Sequence, residues 1–243
     1  MNPGHGRDPG FASTHWSLVA NANDDDGAVA RASLAALCLR YWYPVYGYLR
    51  RSGHGPEQAH RLARGFFQWL VQADGARASA SRYGRFRLFL LAELHRYLTR
   101  AHEATEPADT DPVPPPALGD IEARHHAEPA GTEPPECALR RGFAVEVLAA
   151  AHERLRREAA QAGRSDMYES LERFLGVEPD PGDYEAIASE LGMRPVSISL
   201  AVRRLRQRFR ELVDRELRET SATPADLEDE RHALLQVLKG VAG

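Results

Sequence analysis

The sequence predicts an all-α protein: two helical domains joined by an acidic, proline-rich linker, with a helix-turn-helix in the C-terminal domain. Three observations predict it. Apolar residues recur at intervals of three and four along most of the chain, the spacing of a helix face. No alternating strand pattern interrupts them. Residues 103–136 then break the period with eight prolines and one basic residue, Arg124. At 243 residues the chain can build one large core or two small ones.

The elements follow in order. Residues 11–20, "FASTHWSLVA", read as a short helix with Ser13 or Thr14 as its cap. From about Asp26 a helix runs through "AVARASLAALCLR", with Val29, Leu34, Leu37 and Cys38 on one stripe. In "YWYPVYGYLRRSG" Pro44 either kinks that helix or opens a new one. "SGHGP" is a turn, and Pro56 suits the first position of the next helix. That helix turns Ala59, Leu62, Ala63, Phe66, Phe67 and Leu70 inward. Another, from about Tyr83 to His102, carries Phe86, Phe89, Leu90, Leu94, Tyr97 and Leu98. Residues 11–102 thus form a first helical domain.

Residues 103–136 hold nine acids, and such a composition reads as a disordered or semi-extended tether. Helices resume at "CALRRGFAVEVLAAAHERLRREAAQAG" and "SDMYESLERFL", opening a second domain over 137–219. Residues 220–243 form an extension whose helix has Thr223 as cap and Pro224 at its first position. It either caps the second domain or is a regulatory addition, with capping the simpler expectation.

Within the second domain, "YEAIASELGMRPVSISLAVRRLRQRF" (184–209) reads as two helices around a tight turn. Ala188 and Gly192 supply a small residue at a crossing and a glycine for a positive φ. Beyond the turn, Ile198, Val202, Leu205, Phe209 and Leu212 make an inward seam. The other faces carry Arg194, Ser197, Ser199, Arg203, Arg204, Arg206, Arg208 and Arg210, and residues 191–210 contain six arginines and no acid. Hydroxyls and arginines near the start of such a helix suit base edges and phosphates. A solvated arginine face on a helical hairpin is the plainer alternative.

Charge is segregated although the net is only −4. Residues 11–102 carry twelve arginines against six acids, and the helix-turn-helix is also basic. Two basic modules around an acidic tether suit a polyanion partner. The tether could also shield those modules in the free protein; deleting residues 105–135 would then tighten DNA binding.

Other classes find little footing. No apolar run approaches the ~18–20 residues of a membrane span, and "MNPGHGRDPG" has no leader-like apolar core. Cys38 and Cys137 are isolated, so neither a disulfide framework nor a zinc site is expected and a cytoplasmic location is. The histidines, including His54, His60, His95, His102 and the pair His125–His126, lack ligand spacing. Without a P-loop, GxSxG or HExxH motif, no enzyme, cofactor or metal is expected. Tyr41, Trp42, Tyr43, Tyr46 and Tyr48 are either core packing or a base-stacking platform. Trp16 and Trp69 read as core.

The stretches "THWSLV", "ALCLRYWYPVYGYLRRSGHGPEQA", "RYGRFRLFLLAELHRYL" and "YEAIASELGMRPVSISLAVRRLRQRFRELVDREL" together resemble a bacterial RNA polymerase sigma factor of the extracytoplasmic-function class. That resemblance implies core RNA polymerase and double-stranded promoter DNA as partners. The first domain would engage the minus-ten element, with Arg82, Arg85, Arg87, Arg96 and Arg100 along the melting DNA. The helix-turn-helix would read the minus-thirty-five element through Arg194, Ser197, Ser199, Arg203, Arg204 and Arg206. His60, Arg61, Arg64, Phe67 and Gln68 fall on the polymerase- or partner-docking helix. That motif is degenerate, because Arg61, Arg64 and Gly65 stand where acid, amide and acid are usual. The acidic run after Arg100, Arg194 at the helix cap and Ser199 in place of a basic residue also depart from the family pattern. The alternative is a sigma-like interaction protein that has lost ordinary initiation and binds an anti-sigma or other regulatory partner.

Overall fold

A computed structural model describes residues 27–72, 83–101, 115–128 and 133–241, with side chains from 38–70, 83–100, 115–128 and 133–239. The expected helix at 11–20, Trp16, Arg82, residues 103–114 and 129–132 lie outside the described residues. Among the described residues the protein is all-α. Its helices are α1 (Gly27–Arg51), α2 (Pro56–Gln72), α3 (Phe86–Ala101), α4 (Leu118–His126), α5 (Pro135–Gln161), α6 (Ser165–Leu171), α7 (Asp183–Glu190), α8 (Pro195–Glu219) and α9 (Pro224–Val241), with a 3-10 turn at Glu172–Leu175. No strand occurs among them; one isolated β-bridge joins Arg85 and Ser221.

The described residues form two compact units, one from within 1–146 and 217–243 and the other from 147–216. Their limits fall inside α5 and α8 and differ from the expected linker-bounded division.

In the first unit α1 runs unbroken through Pro44, so the proline opens no new helix. Tyr41, Trp42, Tyr43, Tyr46 and Tyr48 are all buried. Trp42 stacks on Phe67 of α2 at 5.1 Å and Tyr41 on Phe143 of α5 at 5.3 Å. Their faces are therefore filled by protein, which removes the base-stacking alternative. Cys38 lies in the same core, where burial pushes its thiol up to about 12, while Cys137 is half-buried on α5.

Two expectations change here. Part of the presumed tether is α4, packed on α2. A proline-rich average concealed "LGDIEARHH", whose Ile121 is buried. Tyr46 donates to Glu122, and Arg50 forks onto both Glu122 oxygens at 2.8 and 3.1 Å. The Arg124 guanidinium lies 3.8 Å over the Tyr43 ring, and Arg141 of α5 pairs with Glu128 at 2.8 Å. The second change concerns α9, expected on the second domain. It packs with α3: Ala222 N–H donates to Gly84 O at 2.7 Å, and Phe86 N–H to Thr220 O at 2.9 Å. Thr223 does cap α9, accepting from Asp226 N–H at 3.2 Å.

In the second unit α6, the 3-10 turn, α7 and the start of α8 enclose Leu171, Phe174, Ile187, Ala188, Ile198 and Val202. Ala151, Leu155, Tyr168 and Leu212 form a second cluster.

Candidate nucleic-acid interface

The joint between α7 and α8 follows from local chemistry. Gly192 has φ +63°, and Met193 N–H reaches back to Ala188 O at 2.8 Å. This left-handed exit closes the end of α7, and a glycine adopts it without strain. Arg194 then stands at the N-cap, its carbonyl accepting from Ser197 and Ile198 N–H at 2.8 and 3.3 Å. Pro195 follows at the first helical position, where its missing N–H costs nothing. Ile198 and Val202 are buried and Leu205 half-buried, so the seam fixes which face of α8 looks outward.

On that outward face the arginines divide. Arg194, Arg203, Arg204 and Arg210 are exposed and have no partner among the described residues. Arg206 differs. It donates to Phe174 O at 2.7 Å and Val177 O at 2.9 Å and pairs with Glu178 at 3.0 Å. It braces the loop before α7, and each of its three nitrogens already donates internally, although the sequence placed it among the DNA contacts. Arg208 forks onto Glu158 of α5 at 2.7 and 2.8 Å and meets Glu211 at 2.9 Å. Those bonds hold Glu158 below the usual carboxylate range and raise the guanidinium's own value. Ser197 and Ser199 are half-buried, and Ser199 Oγ donates to Val196 O at 2.9 Å.

Two grooves flank α8 within this unit. One, of about 600 Å³, has an apolar floor including Leu155, Met167 and Leu205, with Arg164 and Arg204 at its sides. The other, of about 370 Å³, is lined by Tyr184, Ser199, Arg203, Arg206 and Arg210. Leu200 lines both. The sequence reading passed over Leu200 and Val196, which are 45% and 69% exposed. Their positions at i and i+4, outside the inward seam, were the available signal.

The first-domain candidates are less open. Arg87 pairs with buried Glu230 at 3.1 Å, Arg85 with Asp229 at 3.3 Å and Arg96 with buried Glu93 at 3.0 Å. Three of the guanidiniums expected along the melting DNA thus already have carboxylate partners. Arg100 alone of the described candidates there is exposed and unpartnered among the described residues.

On α2, Phe67 and Gln68 are buried, which removes them from any docking surface in this conformation. His60 is half-buried, with its Nε2 hydrogen-bonded to Pro116 O at 2.9 Å. Arg61 is exposed and Arg64 half-buried. Gly65 lies where a β-carbon would collide with the Tyr97 hydroxyl of α3, so an acid there would displace the tyrosine.

Among the described residues no three His, Cys, Asp or Glu side chains group to hold a metal ion, and no helix is long and apolar enough to cross a membrane. Compared with family models, curated proteins and solved structures, the chain matches none.

Proposed function

We propose that the chain is a sigma-like transcription initiation factor that contacts promoter DNA through the helix-turn-helix of α7 and α8 and joins core RNA polymerase. The observation that carries this reading is the set of exposed arginines at the cap and along α8, Arg194, Arg203, Arg204 and Arg210, with no carboxylate partner among the described residues. Four guanidiniums at the cap and along a helix rigidly oriented by Ile198 and Val202 present fixed donors to phosphate oxygens. No catalytic chemistry enters the reading. The test is retention on immobilised core polymerase followed by promoter-dependent transcription in vitro. Transcripts that vanish on substituting Arg203 and Arg204 with alanine support it; a chain that neither binds polymerase nor any duplex ends it.

A second reading is favoured by one observation. Residues 115–126 pack on α2 beside His60, and two of the expected contact residues, Phe67 and Gln68, are core, while Arg61 stays exposed. A sigma-like protein that engages an anti-sigma or other regulator instead of polymerase fits that arrangement. Capture of such a regulator without polymerase, in a reconstituted mixture of the purified components, favours this reading over the first.

A further inference from the structure

We infer that Val196 and Leu200 read thymine methyl groups in the major groove of the bound duplex, with the two strands' phosphates lying along the grooves on either side of α8. This rests on the DNA-binding reading above and adds to it the class of base recognised.

The first support is the exposed aliphatic pair. Val196 and Leu200 occupy the first two turns of α8 at 69% and 45% exposure. Early residues of a groove-reading helix are those that meet base edges. A valine and a leucine have no donor or acceptor to offer, and the apolar feature of a base edge in the major groove is the thymine methyl.

Shape and charge say what lies to either side. Leu200 borders both grooves, so α8 stands as a ridge between them. An α-helix about 10–12 Å across fits a major groove about 12 Å wide. Each flank carries two guanidiniums without a partner among the described residues: Arg164 and Arg204 on one side, Arg203 and Arg210 on the other. The carboxylate in the larger groove, Glu158, is held by Arg208. A ridge with a positive rail on each side complements a duplex, whose groove is bordered by two anionic strands. An apolar protein helix would need one cationless trough, and neither groove offers it.

The experiment uses the full chain and a random-sequence duplex pool, selected through successive rounds of binding. Each dT of the enriched sequence is then replaced by deoxyuridine, which removes the methyl and leaves every hydrogen-bonding group in place. One or two positions are expected to weaken binding about fourfold, the ~0.8 kcal/mol of one buried carbon group. Leu200→Ala or Val196→Ala should abolish that sensitivity at its own position while leaving the salt dependence and melting temperature unchanged, since both side chains are outside the core. Sequence-selective binding that is indifferent to every dT-to-deoxyuridine change, or an enriched sequence without thymine, overturns this inference and leaves the DNA-binding reading standing. Failure of the wild-type chain to retain any duplex at low salt overturns both.

Discussion

Arg203 and Arg206 lie three positions apart on α8, yet Arg206 is fastened to the loop before α7 and Arg203 stands in solvent. Their alanine variants should therefore fail in different ways. Arg206→Ala leaves the part-buried carbonyl of Phe174 without its donor and gives the exposed one of Val177 to water, at a cost of about 1 kcal/mol. Thermal denaturation should fall by about 2–4 °C per kcal/mol for a chain of this size. Arg203→Ala should leave that midpoint unmoved, weaken duplex binding and lower the salt slope by about one. Equal melting temperatures for the two variants would contradict the assignment. The sequence could not have sorted these arginines. Glu178 is 28 residues from Arg206 and Glu158 is 50 from Arg208, and only the folded chain brings them together. Periodicity did place Ile198 and Val202 inward, because a seam is a local property of one helix.

At the scale of elements, α4 shows where composition misleads. Prolines and acids averaged over 103–136 argue for a tether, while nine residues of that stretch, Leu118–His126, form a helix anchored by buried Ile121, by Glu122 and by Arg124 on Tyr43 and Glu146. Burial pushes the Glu122 carboxyl up, but hydrogen bonds from Tyr46 and Arg50, with the charges of Arg50 and His125, outweigh that and hold it below its ordinary value. Glu122→Ala leaves Arg50 and Tyr46 without their acceptor, a loss of about 1.5–3 kcal/mol for a charge-assisted contact. Amide exchange over 115–128 should accelerate while α1 and α5 stay protected; unchanged exchange would show that the carboxylate is not what holds the helix. Acid should act in the same direction through His125. Burial first, then the charge of Arg50, depress its value, against the opposing pull of Glu122 and Glu128 and with Arg51 adding to the depression. Because the docked ring resists protonation, stability present above the ordinary 6.5 is lost as pH falls below it toward the depressed value. Exchange over α4 measured across that window should rise on acidification. Phe67 on α2 was misplaced on a docking surface for a related reason: an amphipathic pattern says which residues face a neighbour, not whether that neighbour is a partner or, as for Phe67 against Trp42, the molecule itself.

Across the whole molecule, the net charge of −4 predicts little affinity for nucleic acid, and the distribution predicts the opposite. If the four unpartnered arginines at the cap and along α8 meet phosphates, log affinity should fall with log salt at a slope of about −3 to −4. A slope near zero in a filter-binding titration would leave the acidic total as the better guide. The all-helical architecture was legible because it needs only the three-to-four period. The grouping of α9 with α3 was not, since the Arg87–Glu230 pair spans 143 positions and no periodicity reports across that distance.

The depth of Cys38 has a practical consequence. With its thiol buried and pushed up to about 12, a mild alkylating reagent should attack the intact chain at Cys137 alone and both sulfurs once it is denatured. The chain thus counts its own folded fraction, one adduct per native molecule and two per unfolded one, and offers a single attachment point on α5 for a dye.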